Sequence, residues 1–184
     1  MLEAMTMDEF IDILDQSGNL IGRKLRGEAH RSGEWHKGVH VWILSNGKIL
    51  LQKRSYKKDI LPGRFDVGCG GHVKSGENYE DAAIRETEEE LGIKPKKEDL
   101  IYIDSRKQIT HVKEKGLISR EFLKIFVLKI PDISGLKINR DEVEEVRLFD
   151  IKELKELLKT RLEMFIDDKE YFFDALNKIE KIKT

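Results

Sequence analysis

The sequence predicts an α/β sandwich built on a mixed β-sheet, and three observations carry that prediction. Strand-like segments are interleaved with few helices and in an irregular order, which a regular βαβ repeat would not give. Two pairs of apolar segments flank tight turns and read as hairpins. No internal repeat or low-complexity linker interrupts the 184 residues, and there are only three prolines. The chain 1–184 is therefore expected to form one domain.

From the N-terminus, Phe10–Leu14 and Leu20–Leu25 flank Asp15, Gln16, Ser17, Gly18 and Asn19 and predict a β-hairpin within residues 1–25. Arg26–Lys37 is a short polar connection. His40–Leu44 is a strand, and Ser45-Asn46-Gly47 turns it into a second, Lys48–Lys53. Pro62-Gly63 marks a loop before a short buried strand at Phe65–Cys69. Gly68, Gly70 and Gly71 surround its end and let the backbone turn sharply or approach a neighbour. Asn78–Leu91 is the strongest helix, with Asn78 as its N-cap and Gly92 as its stop. Strands follow near Leu100–Asp104, Phe122–Leu128 and Val146–Phe149. Ile151–Leu158 and Lys169–Ile182 place two helices within residues 151–184. The segment MFIDDKEYFFDAL reads either as part of a pocket or as a packed helix presenting Phe172, Phe173 and Leu176.

Charge narrows the function classes. Lys and Arg number 34 against 35 Asp and Glu, a formal net charge of −1, whereas a dedicated nucleic-acid binder carries a basic surplus. A small phosphorylated substrate stays compatible, because one local basic patch can serve it. The single cysteine, Cys69, excludes an intramolecular disulfide and fits a reducing compartment. The N-terminal MLEAMTMDEFIDIL carries acids where a secretory signal carries bases, and apolar stretches such as Val39–Leu44 are too short to span a bilayer. A soluble, cytoplasmic protein with neither nucleic-acid nor membrane partner is expected. The pattern leaves oligomeric state open.

Within the strong helix, Glu86, Glu89 and Glu90 stand at i, i+3 and i+4 and share a face. Ala83, Thr87 and Leu91 form an adjacent stripe able to pack on the sheet, which puts the carboxylates at the edge of the buried face. Such like charges repel by roughly a few tenths of a kcal/mol per exposed pair, and more when partly buried. A hard divalent cation neutralises them, Mg²⁺ typically using one or two carboxylates together with substrate phosphate oxygens. A solvated acidic face is the alternative.

From Gly71 the chain runs GHVKSGENYEDAAIRETEEELGI, which resembles the Nudix box G-x5-E-x7-R-E-U-x-E-E-x-G-U, with U apolar. Gly71, Glu77, Arg85, Glu86, Glu89, Glu90, Gly92 and Ile93 fall in place across 71–93. Thr87 departs at the first apolar position, where its methyl can still pack. The resemblance implies a Nudix-type α/β/α sandwich with a mixed sheet and a loop–helix–loop box. It implies a hydrolase cutting a diphosphate linkage, in a nucleoside-diphosphate-type or related small substrate, by attack of water on phosphorus. Glu86, Glu89 and Glu90 would ligate Mg²⁺ or Mn²⁺ with the backbone carbonyl of Gly70. Arg85 and Glu77 would form an ion pair bracing the loop, with Gly71 and Gly92 structural. The general base in this fold often lies outside the helix, so Glu121 and Glu142 (with its neighbour Glu145) are candidates alongside Glu89. Read alone, the 141–145 run is a solvated acidic turn. Arg54, Lys57 and Lys58 are candidate diphosphate clamps or a solvated charged loop.

From Gly22 to about Leu154 the chain also resembles the branch of the family akin to isopentenyl-diphosphate isomerase. In the isomerase, histidines before the first core strand and in the box loop bind a metal, while a cysteine and a strand glutamate do the proton chemistry. His36 and His72 match those histidines, His30 nearly matches a third, and Glu121 matches the glutamate. The resemblance thus implies a second metal site at His30, His36 and His72; a hydrogen-bonded group bracing the loop is the alternative. The cysteine's place falls on Gly70, and Cys69, one residue earlier, belongs to the opposite face of a strand. Ser119 stands where the isomerase has a second acidic ligand. Cys69 is expected to be an inert core residue. With the hydrolytic glutamates complete, hydrolysis is the expected activity, and isomerisation of isopentenyl diphosphate is the competing one. A binding module without turnover would be expected to lack Glu89 or Glu90.

Overall fold

The computed structural model describes residues 9–58, 61–112, 116–166 and 169–182; the expectations for residues 1–8 and 183–184 lie outside them. β1 (Phe10–Leu14) and β2 (Leu20–Leu25) form the N-terminal hairpin. The Asp15 carboxylate closes its turn by accepting from the backbone N–H groups of Ser17 and Asn19. The polar segment that follows is partly ordered, as α1 (Arg26–Ser32) and the start of β3 (Trp35–Ser45). A helix of seven residues is too short to show the periodicity that reveals longer ones.

β3 is the axis of the sheet. One edge pairs in parallel with β8 (Leu117–Ile130) from Trp35↔Arg120 to Ser45↔Ile130. The other edge meets β4 (Lys48–Arg54) only at residues 43–45, after which the two strands diverge. Residues 65–72 enter this fork as a wedge. β5 (Phe65–Asp66) pairs with β4, and β6 (Cys69–His72) pairs with β3 from Val41↔Cys69 to Gly38↔His72. The change of partner between them is why one expected strand is two. β7 (Leu100–Val112) pairs antiparallel with β8, and β9 (Val143–Phe149) with β4. One parallel pair among antiparallel ones makes the sheet mixed, as expected.

Alternation on β3 sorts the core into two layers. Val39, Val41 and Ile43 point toward α2 (Tyr79–Leu91) and pack with Leu50, Cys69, Ala82, Ala83, Leu91 and Phe126. Trp42 and Leu44 point the other way, toward α3 (Ile151–Thr160) and α4 (Lys169–Ile182). There they pack with Ile49, Leu51, Ile125, Val127, Phe149, Leu154, Phe172 and Leu176. The arrangement is an α/β/α sandwich.

Candidate active site

α2 begins where Asn78 Oδ1 accepts from the Asp81 N–H at 2.9 Å, and it ends at Gly92, whose φ of 71° is left-handed. Between these caps, Ala82, Ala83, Thr87 and Leu91 are buried against the sheet. Glu86 lies directly beneath Gly71 of the wedge: a methyl at that position would overlap the Glu86 carboxylate. Glu90 is not at the edge of the buried face but inside it, 6% exposed, and accepts from Gln52 Nε2 at 2.9 Å. Burial, reinforced by the charge of Glu86, lifts the Glu90 carboxyl to about 8. Burial also raises Glu86, against the pull of Arg85. Glu89 is exposed and accepts from Arg85 Nη1 at 3.3 Å.

Arg85 ties the loop to the helix. Its Nε and Nη2 donate to the two Glu77 oxygens at 3.0 and 2.9 Å, Nη2 also to the His72 carbonyl at 2.8 Å, and Nη1 to Glu86 at 2.6 Å. Glu77 in turn accepts from the Lys74 N–H. This planar fork fixes β6 and α2 relative to each other.

The segment after β4 lies against the acidic turn before β9. Lys58 is ion-paired with Glu142, and Ser55 binds the backbone of Glu142 and Arg140. Burial holds the Lys58 ammonium below its usual range, with Glu90 and Glu86 pulling the other way. Arg54 donates to Asp66 at 2.9 Å. Lys57 lies farther out, in an exposed pair with Asp141. The Asn139 N–H binds the Glu90 carbonyl at 3.0 Å, so the same turn caps the acidic end of α2.

A second cluster joins α1, β3, β6 and β8. His30, His36 and His72 bring their ligating atoms within 4.8 Å of one another. His30 Nε2 and His72 Nε2 are 3.1 Å apart. Glu121 Oε1 stands 3.8 Å from His36 Nε2 and 3.9 Å from His72 Nε2. The His36 Nδ1–H donates to the Glu34 carbonyl, which leaves its Nε2 lone pair facing the cluster. Burial depresses all three imidazoles, His30 to about 4, and raises Glu121 to about 7. Neutral rings whose ligating atoms converge could hold a divalent ion, which would take the place of the proton shared between His30 and His72. Cys69 is on the other side of the strand, fully buried, with its sulfur 3.2 Å from Thr87 Oγ1 of α2.

A Nudix domain model matches residues 34–171, well over half of the chain. The chain belongs to the Nudix family. It is 40% identical over 161 residues to an uncharacterised Nudix hydrolase of Clostridium acetobutylicum, covering 85% of this chain and 77% of that one. It is also 32% identical over 140 residues to an isopentenyl-diphosphate Delta-isomerase of Dinoroseobacter shibae, covering 75% and 77%. Four other curated relatives are matched along only 20% to 52% of their own length. In fold, the chain is similar to a crystal structure from Deinococcus radiodurans, with a TM-score of 0.70, 23% identity, and 90% and 98% of the two chains covered. Nudix hydrolases act on acid anhydrides and generally use divalent metals.

Several residues in and around this Nudix site escape a reading of motifs. Gln52 and Asp66 carry no motif, although alternation from the buried Leu50 places Gln52 on the α2 side. His40, Trp42 and Tyr171 are joined across 129 to 131 residues of chain, which no local signal reveals.

Proposed function

We propose that the chain is a metal-dependent Nudix diphosphohydrolase, using Mg²⁺ or Mn²⁺ to cleave a small diphosphate-containing substrate, of nucleoside-diphosphate type or related, by attack of water on phosphorus. The observation that carries this is the pair Glu86 and Glu90, two carboxyls one helical turn apart and largely withdrawn from water, Glu86 beneath the Gly71 wedge and Glu90 against Gln52. Their strained ionisation and the buried Gln52 Oε1, unpartnered among the described residues, fit a hard cation. Glu86, Glu89 and Glu90, with the Gly70 carbonyl, are the residues that would hold it. When bound, such an ion supplies neutralisation of diphosphate charge and acidity for a nearby water. Arg85 and Glu77 hold the ligands in place; Arg54, Lys57 and Lys58 supply positive charge for the phosphates. Glu121, Glu142 and Glu89 are the candidate proton acceptors. Glu142 is held by Lys58, and Glu121 by its burial beside the histidines.

The reading extends to one Nudix domain over 1–184, placed in the cytoplasm, with neither nucleic acid nor membrane as partner. Among the described residues no helix is long and apolar enough to cross a membrane. A panel of nucleotide, sugar-nucleotide, cofactor and isoprenoid diphosphates, assayed with Mg²⁺ or Mn²⁺ and with excess chelator, tests it. Turnover that survives the chelator would sink it.

The histidine cluster with Glu121 favours one competing activity, double-bond isomerisation of isopentenyl diphosphate at a second metal site. The position of Cys69 against α2 speaks against it. We expect Cys69→Ser to leave hydrolysis within about twofold while costing roughly 1–2 kcal/mol of stability for a buried hydroxyl. Wild type is expected to incorporate no deuterium from heavy water into isopentenyl diphosphate. Incorporation that vanishes in Cys69→Ser would overturn the hydrolase assignment.

A further inference from the structure

We propose that His40 contacts the substrate, its Nε2–H donating a hydrogen bond to the diphosphate portion while Tyr171 and Trp42 lock the ring. The proposal rests on the diphosphohydrolase reading and adds to it a residue outside the box. His40 shares the Trp42 side of β3, and the register aligns Asp104, Ile125, His40 and Gly70 across four strands. The ring is half-buried. Its Nδ1 lies 2.8 Å from the Tyr171 hydroxyl, and Trp42 Nε1 lies 3.0 Å from the same oxygen. Trp42 is fully buried and Tyr171 only 2% exposed, so the lock itself is dry.

The direction of one of these bonds follows from chemistry. An indole N–H only donates, so the Tyr171 oxygen accepts there, and in the proposed lock its own proton is directed at His40 Nδ1. The proton of a neutral imidazole then resides on Nε2. Among the described residues that nitrogen has no hydrogen-bond partner. It lies along the wedge, since a methyl on Gly70 would come within 2.9 Å of His40 Cδ2 and 3.5 Å of Nε2. The groups around it are Asp66 and Arg54 on one side and Arg106 on the other. Arg106 stacks at 4.9 Å over the same Tyr171 ring. A neutral donor set between Arg106 and the Arg54–Asp66 ion pair, over the wedge whose Gly70 carbonyl would join the cation site, suits an anionic oxygen. Tyr171 is a positioning residue here, because it acts through His40.

The test uses full-length protein with ¹⁵N-labelled histidine, Mg²⁺ and methylenediphosphonate, a diphosphate analogue that resists hydrolysis. Long-range ¹H–¹⁵N spectra, assigned by the signal missing in His40→Gln, are expected to show the Nε2–H tautomer and a shift of Nε2 when the probe binds. Tyr171→Phe is expected to mix the tautomers and to raise KM more than it lowers kcat. His40→Leu is expected to weaken the probe by about tenfold, and His40→Gln, whose amide reaches the Nε2 position, to recover most of that loss. An Nδ1–H tautomer in wild type, or probe binding that leaves the His40 signals unmoved, overturns the proposal and leaves the hydrolase reading intact. If the probe does not bind and no diphosphate is hydrolysed, both fall.

Discussion

Glu90 and Arg85 respond to the same site in opposite ways, and each gives a test at the scale of one side chain. Without a cation, Glu90 is a buried carboxyl whose ionisation the fold resists. An amide in its place keeps the bond from Gln52 Nε2 and can donate to Gln52 Oε1, which has no partner among the described residues. Glu90→Gln should therefore stabilise the metal-free protein at pH 9 by about 1 kcal/mol, measured by urea unfolding. The same change should weaken Mg²⁺ binding by at least about a hundredfold, measured by calorimetry; unchanged affinity would remove Glu90 from the ligand set. Arg85→Ala works the other way. It strands Glu77 and Glu86, both partly buried, and should cost about 3 kcal/mol together with most of the activity. Arg85→Lys should not restore the loss, because an ammonium cannot span both Glu77 oxygens. An unchanged melting temperature in Arg85→Ala would show that the loop does not depend on the pair.

At the scale of elements, the wedge is what the box helix needs, and Gly71 is where the two touch. Gly71→Ala must displace the Glu86 carboxylate, so we expect cation affinity to fall by at least about a hundredfold and stability by about 1–3 kcal/mol, with the far-ultraviolet spectrum unchanged. Retained cation affinity would mean that Glu86 has room to move. α2 was fully legible from sequence, because its cap, its stop and its apolar stripe all lie within one continuous segment. The hairpins were legible for the same reason. β7 and β8 proved longer than expected, since Arg106, Gln108, Ser119 and Glu121 line their outer halves and break the apolar alternation that marks a strand. The split of Phe65–Cys69 depends on which strand lies alongside, and that is not a property of the segment. In the site, Glu86, Glu89 and Arg85 could be placed by spacing alone, whereas Glu90 lies inside the buried face that the spacing put it beside. Lys58 with Glu142, Arg54 with Asp66, and His40 with Tyr171 meet only through tertiary contact.

For the molecule as a whole, titration sets opposing demands. Glu86, Glu90 and Glu121 are raised in the native state, the latter two to about 8 and about 7. As pH rises above about 6.5, the native fold holds protons that the unfolded chain has already released, and stability falls. His30, His36, His40 and His72 are depressed, so below about 6.5 the unfolded chain takes up protons that the native rings refuse, which opposes the carboxyls there. Metal-free protein should therefore have its optimum at or below about pH 6.5, with slopes on the order of 1.4 kcal/mol per pH unit for each proton in excess. Mg²⁺ should move that optimum upward by displacing protons from its ligands. Denaturant midpoints from pH 5 to 9, with and without Mg²⁺, decide the point; a metal-free maximum at pH 9 would contradict it. The parallel pairing of β3 with β8 carries a kinetic consequence. It joins residues 85 positions apart, Trp35 to Arg120, and the box helix lies inside the loop so closed. Closing a loop of that length is a slow, non-local step, whereas α2 can wind on its own. During refolding, helical signal should return before ion affinity does, and a chain halted between the two would carry every acid of the box yet hold its cation only weakly.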